Sequence, residues 1–462
     1  MADTYNPRFF QVKSLNGNTG ANFVGSTNFQ WQVPQNTVMD PNETYLSMTI
    51  QYDYTATANT FGVLPDGVGF SNNMGVCFWD TSELQMNNQV ISDFKNIPQV
   101  CTMERLCFQD KFTNDTVRTK NPITLFEDYS FSILCANNVG TVDPDVLSYR
   151  NHYLQNAKLI AGEASAAGAW PLKRQILFKV PTGTSYGYHK DPIQGNTRLY
   201  LTIGIDSNWR YNVFAAADGT NYTIGSGPSS TPATTATTLR IDVTDLTLWV
   251  ALKSTDVVPR SVSHSYDIID LASSTYSVNG STVDQQLTVP QGTSMLLIGF
   301  ATSNRGVNIN YSPTNFRTQI NQVLQRLYVT FNSRQLVQPP YQFTPSAANN
   351  AITNGSTIRT LADDADWGRA WQDFITTTQA YGESSMYTYN TWLASPVFAF
   401  NLSRSPGEQS NDLLIHLDLN AFDTTTVGLQ CTMYMTFLQN KRVTVEYNAD
   451  SQPVDTSTAY IR

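Results

Sequence analysis

The chain has 462 residues and a mass of 51.4 kDa, with 41% hydrophobic and 12% aromatic residues, enough for a large core in two or three domains. Only 14% of residues are charged, against roughly 25% in an average globular protein, so the polar surface must come from Asn, Gln, Ser and Thr, which suit dense packing between copies. The net charge of −9 and the lack of a Lys/Arg cluster in MADTYNPRFFQVKSLNGNTG argue against direct nucleic-acid binding.

No leader with a positive start and an apolar core is seen at the N-terminus, and no run approaches the ~18 apolar residues of a membrane span, so synthesis in the cytoplasm is expected. The first strand signal is Asn28-Phe29-Gln30-Trp31-Gln32-Val33-Pro34, followed by a long apolar strand over 44–54. Leu84-Gln85-Met86 then runs into the polar turn Asn87-Asn88-Gln89. Asp143-Pro144 starts a helix through Tyr149, Tyr153 and Ala157, with Pro at the first helical position.

Leu199, Leu201, Ile203 and Ile205 alternate as a strand with one buried face. The stretch 219–238, GTNYTIGSGPSSTPATTATT, has little to bury and reads as an exposed excursion, within an exposed loop over 206–238. Ile241, Val243, Leu246, Leu248 and Val250 close the first half. Lys253-Ser254-Thr255-Asp256-Val257-Val258-Pro259 reads as a linker, so the domain boundary is placed at 253/254.

The second half opens on Gln285-Gln286-Leu287-Thr288-Val289-Pro290 and an apolar strand over 294–302. Leu327, Val329 and Phe331 form a strand that ends in Asn332-Ser333-Arg334. A helix is predicted over 363–381, with Trp367, Ala370, Trp371, Phe374 and Tyr381 on one face, Asp363 or Asp364 as cap and Gly382 as stop. Leu413, Ile415, Leu417 and Leu419 alternate again. Cys431, Met433, Met435 and Phe437 lead through Gln439-Asn440-Lys441 to 443–447 as a late hairpin or a bent strand.

Short strands punctuated by Gly, Pro, Asn and Asp point to an all-β sandwich or barrel and away from βαβ units. The two halves also begin alike, with Val-Pro before Gln in each and a strand running into a polar turn soon after. A duplication accounts for both parallels.

The chemistry-bearing residues form no motif. The four histidines, His152, His189, His264 and His416, have neither HExxH nor cysteine neighbours at ligand spacing, and His416 should face away from the core side of its strand. The five cysteines, Cys77, Cys101, Cys107, Cys135 and Cys431, include no CxxC and read as buried reduced thiols; a zinc site from the first four is the sharper alternative. Asp363, Asp364 and Asp366 suit a helix start better than a cation site. Glu383, Glu408, Asp412 and Asp418 leave carboxylate-pair hydrolysis as the surviving enzyme alternative.

Trp367, Trp371, Trp392, Phe398 and Phe400 read as core before they read as a sugar platform. Sequons at Asn42, Asn221, Asn279 and Asn354 match by composition. No catalytic, cofactor or metal residue is assigned.

The order of features in the second half resembles the double jelly-roll major capsid proteins of adintoviruses, polinton-like viruses and virophages, of the adenovirus and tectivirus lineage. The residues that carry it are Val289-Pro290-Gln291-Gly292, the strand 295–300, Asn315-Phe316, and Leu327-Tyr328-Val329 leading to Gln338-Pro339-Pro340. The helix 367–381, the strand 397–402, the strand 413–420 and the final hairpin 433–447 complete the series. The first half fits more loosely, through its strand order and the closing Asp245-Leu246-Thr247-Leu248-Trp249-Val250.

The resemblance implies two tandem eight-stranded antiparallel jelly rolls, one over 1–253 and one over 254–462, with a few inserted helices. It also implies a homotrimer forming pseudo-hexagonal capsomers in an icosahedral shell, with neighbouring capsomers, penton and minor capsid proteins as partners and the virion as location. A trimeric attachment or spike protein that binds a receptor or glycan is the alternative function. A single jelly roll with a projecting domain is a third, weakened by the missing basic arm.

Overall fold

The computed structural model describes residues 8–55, 61–62, 68–71, 73–108, 172–180, 192–216, 223–225, 238–254, 263–278, 280–302, 313–314, 316, 320–343, 365–379, 389–394, 396–402, 411–419 and 431–461. The first half carries β1 (Arg8–Lys13), β2 (Ser26–Gln32), β3 (Thr37–Thr55), β4 (Trp79–Met86), β5 (Gln89–Lys95), β6 (Leu172–Lys179), β7 (Arg198–Ile205) and β8 (Thr238–Ser254). The second carries β9 (Ser263–Val278), β10 (Thr282–Thr288), β11 (Thr293–Thr302), β12 (Leu324–Phe331), β13 (Arg334–Gln335), β14 (Phe398–Asn401), β15 (Asp412–Leu419) and β16 (Cys431–Tyr447). A last strand, β17 (Pro453–Tyr460), follows.

The ladders repeat. In the first half one sheet runs β1-β8-β3-β6 and the other β2-β7-β4-β5. The second half gives β9-β16-β11-β14 and β10-β15-β12-β13, the same order with each strand number raised by eight. Two facing four-stranded antiparallel sheets in this order make a jelly roll. Among the described residues, every ladder joins strands of one half.

Alternation produces the core between each pair of sheets. Leu199, Leu201 and Ile203 on β7, and Leu413, Ile415 and Leu417 on β15, are buried while their neighbours face outward. In β3, Pro41 has no N–H to give the ladder, and the register to β8 jumps from Tyr45–Trp249 to Asp40–Ala251. The Thr44 hydroxyl fills the gap: it accepts the Ala251 N–H at 3.2 Å and donates to the Asp40 carbonyl at 2.8 Å. That role buries the hydroxyl of the 42–44 sequon; the other three sequon asparagines lie outside the described residues.

The duplication extends to single hydrogen bonds. Val33 N–H donates to the Thr197 carbonyl at 2.9 Å, and Val289 N–H to the Asn411 carbonyl at 2.8 Å. After each Val-Pro, a threonine hydroxyl donates back to the proline carbonyl, Thr37 to Pro34 at 2.8 Å and Thr293 to Pro290 at 2.7 Å. The residue before that threonine is left-handed in both turns, Asn36 at φ 65° and Gly292 at φ 75°. The β4–β5 turn has Asn87 and Asn88 at φ 48° and 69°, and the β12–β13 turn has Asn332 and Ser333 at φ 50° and 63°, the two-residue hairpin geometry that matches strand twist.

Among the described residues, the helices longer than four residues sit at one place in the repeat. α1 (Ile97–Phe108) lies between β5 and β6, and α2 (Ala365–Gln379) and α3 (Tyr389–Ala394) lie between β13 and β14. α2 is the helix predicted over 363–381: Trp367, Ala370 and Phe374 are buried and Trp371 is half-buried. Asp363, Asp364, Tyr381 and Gly382 lie outside the described residues, as does the helix read from Asp143. Trp367 stacks on Phe343 with centroids 4.0 Å apart and meets Trp392 edge-on at 5.9 Å, so these rings fill the core.

One reading is resolved and two need correction. Of the two shapes read for the late segment, the structure has a single strand and not the hairpin: β9 pairs with β16 from Cys431 to Glu446, straight through Gln439-Asn440-Lys441, because β9 supplies a ladder partner at each position. In the excursion over 219–238, Thr223–Gly225 is a short strand parallel to the start of β8; the rest lies outside the described residues apart from Thr238, which begins β8. Within the loop read over 206–238, Trp209–Asn212 is a helical turn and Phe214–Ala216 a short strand, with Trp209 and Phe214 buried. α1 had no sequence signal, because it is buried on nearly every side and shows no amphipathic stripe.

Candidate functional site: the seam between the rolls

No cleft with converging reactive groups stands out among the described residues; the most organised polar constellation joins the two rolls. At its centre is Asp270 on β9, only 1% exposed. One carboxylate oxygen accepts the Ser92 hydroxyl of β5 at 2.6 Å, and the other pairs with the Lys441 ammonium of β16. Burial raises the Asp270 pKa, against the lowering effects of Lys441, Ser92 and the Leu271 N–H. The carboxylate is thus held by both rolls in a place where an unmatched charge would be costly.

Further bonds extend the seam on either side. Ser273 on β9 donates to the Lys95 carbonyl at 2.9 Å. The Gln194 N–H donates to the Tyr266 hydroxyl at 2.9 Å, and the Gln194 amide lies 2.8 Å from Nδ1 of His264. Asn196 donates to the Ser451 carbonyl at 2.7 Å, and the hydroxyls of Thr197 and Tyr447 lie 3.0 Å apart. Asn87, the first residue of the β4–β5 turn, reaches Thr456 of β17 at 3.0 Å. An apolar contact alone would let the rolls slide; directional bonds to buried partners fix their angle.

Apolar interlock completes the seam. Helix α1 leaves the first roll and packs on β11 of the second. Gly299 makes room for it: a Cβ there would lie 2.5 Å from Met103 Sδ and 2.9 Å from the Phe316 ring. The buried residues of both rolls, α1 included, form one continuous core.

The residues weighed for chemistry are scattered. His152, His189, Cys135, Glu383 and Glu408 lie outside the described residues. Cys77, Cys101, Cys107 and Cys431 are buried and form no disulfide, and burial pushes the thiols of Cys77 and Cys107 far up, as expected of unreactive cysteines. Among the described residues no group of three or more His, Cys, Asp or Glu is arranged to hold a metal ion. Asp366 accepts the Gln342 N–H at 2.6 Å and lies 3.5 Å from Arg369, which accounts for an acid at the helix start.

His416 faces outward on β15, as its strand position implies. Its ring lies between Asp284 of β10, 2.6 Å from Nδ1, and Asp418, 3.1 Å from Nε2. The sequence gives no sign of this pairing, because Asp284 is 132 residues away. The seam was likewise invisible: Ser92, Asp270 and Thr197 read as ordinary polar strand positions until the two rolls meet.

No family model matches the chain, and no curated protein matches it in sequence. In structure it is similar to a chain of the Sputnik virophage solved by cryo-EM, with a TM-score of 0.63 and 10% identity, covering 100% of this chain and 90% of that one. It is also similar to the crystal structure of the mavirus major capsid protein, with a TM-score of 0.50 and 9% identity, covering 98% and 90%. At these identities the likeness is one of fold, and it agrees with the strand order: the chain is a tandem double jelly roll, the architecture of the mavirus major capsid protein.

Proposed function

We propose that the chain is a viral major capsid protein, with rolls over 1–253 and 254–462, that trimerises into pseudo-hexagonal capsomers tiling an icosahedral shell. The observation that carries the reading is the repetition, within one chain, of strand order and turn hydrogen bonds on a fold shared with a major capsid protein. Two similar bodies per chain give a trimer six similar corners, which suits a hexagonal lattice. The seam keeps the two bodies at one angle, as such a lattice requires.

The role is structural, not catalytic, and the working location is the virion. Partners are two further copies of the chain, neighbouring capsomers, and penton and minor capsid proteins. Phe9 and Phe10 on the edge strand β1 are 43% and 49% exposed, apolar surface of the kind that assembly covers. The low charge content supports close approach between copies.

Native mass measurement of the purified chain tests the reading. A species of three chains that resists dilution is expected; a folded monomer at all concentrations contradicts it.

A further inference from the structure

The outer face of the second roll carries a compact cluster of titratable side chains. His416 on β15 stands opposite Asp284 of β10 and Tyr328 of β12 in the ladder. Both ring nitrogens are in hydrogen-bond reach of a carboxylate, Nδ1 at 2.6 Å from Asp284 and Nε2 at 3.1 Å from Asp418. The ring also stacks on Tyr328, with centroids 4.6 Å apart. A neutral imidazole donates from one nitrogen only, so two carboxylates are both satisfied by the doubly protonated ring.

Among the described residues, the charged groups facing the ring are those two aspartates and Arg326. Arg326 lies 4.0 Å from Asp418 and sits over the Tyr328 ring at 5.1 Å. Thr282 of β10 also bonds Asp418, at 3.3 Å. The strand β10 is the end of its sheet, held by β15 alone among the described residues.

We propose that Asp284, His416 and Asp418 form a pH-sensitive clasp, which ties the edge strand β10 to β15 when the ring is protonated and slackens it when the proton leaves. Burial alone pushes the His416 pKa down, and the hydrogen bonds and charges of the two aspartates carry it above its ordinary value. A raised folded-state pKa means the clasp is fully engaged below the unfolded value of ~6.5 and is lost as pH rises through the folded value. Above it, Nδ1 and Nε2 share one proton, and one carboxylate faces a lone pair. The clasp acts on a sheet edge, whatever the chain assembles into.

Hydrogen exchange of the 282–288 amides, corrected for intrinsic rates, tests this between about pH 5.5 and 8.5, the range in which histidine titrates. Several-fold faster exchange is expected at the alkaline end in the native protein, with the pH dependence gone in His416→Gln. Asp284→Asn, which leaves the ring in place, should move the midpoint to lower pH and serves if His416→Gln fails to fold. Exchange that is flat with pH in the native protein, unchanged pH dependence in His416→Gln, or an unmoved midpoint in Asp284→Asn overturns the proposal.

Discussion

The hydroxyl of Ser92, on an edge strand of the first roll, donates a 2.6 Å hydrogen bond to the buried carboxylate of Asp270, on an edge strand of the second. Lys441 completes the set from β16. Ser92→Ala should cost about 1–3 kcal/mol, because it leaves part of a buried acceptor unmet. Asp270→Ala should cost about 3–5 kcal/mol, because Lys441 then keeps a mostly covered charge without its carboxylate. Denaturant unfolding of the two single variants and the double variant measures this, with a non-additive double as the expected sign of shared contact.

Gly299 and Met103 test whether α1 locks the rolls. Gly299→Ala places a methyl group within 2.5 Å of Met103 Sδ and 2.9 Å of the Phe316 ring. A loss of about 1–3 kcal/mol is expected. Met103→Ala in the same chain should recover part of it, although Met103→Ala alone is itself destabilising. Thermal unfolding of the four combinations reads the coupling.

Gly292 is constrained twice, by its left-handed φ of 75° and by the Tyr460 ring, with which a Cβ would collide. Gly292→Ala should cost about 1–2 kcal/mol for the backbone alone, plus the displacement of Tyr460. In a Tyr460→Ala background the clash with the ring is gone, but the Cβ at 460, 2.8 Å from where the new methyl would stand, is kept, so a smaller loss than in the native background should remain. Faster proteolysis of the C-terminal strand in Gly292→Ala, and a smaller further gain over Tyr460→Ala in the double variant, is the expected outcome.

The equivalence of the rolls predicts a shared cost at matched turns. The Asn87 side chain accepts the Arg198 N–H at 2.8 Å, and the Asn332 side chain accepts the Asp412 N–H at 3.1 Å. Alanine at either position loses that bond and a residue that tolerates positive φ, at a cost of about 1–3 kcal/mol each. Asn87→Ala should cost somewhat more, since Asn87 also bonds Thr456 across the seam. Equilibrium unfolding of each variant compares the two.

Much of the fold was legible in the sequence, for local reasons. Period-two runs such as Leu413, Ile415, Leu417 and Leu419 report one buried face directly, and the two Val-Pro turns revealed the duplication because their geometry depends on a few adjacent residues. Gln439-Asn440-Lys441 left a hairpin and a bent strand both open, since polar residues read as a turn wherever the partner strand is unknown; here β9, more than 160 residues earlier, holds them in a ladder. Burial on all sides hid α1. The seam and the His416 clasp depend on pairs 178 and 132 residues apart, which local pattern does not encode.

Negative-stain electron microscopy of the purified chain tests the central claim most directly. Six-cornered particles built from three chains, each contributing two similar lobes at a fixed angle, are the expected result. Isolated two-lobed monomers, or elongated fibres, would contradict a capsid building block.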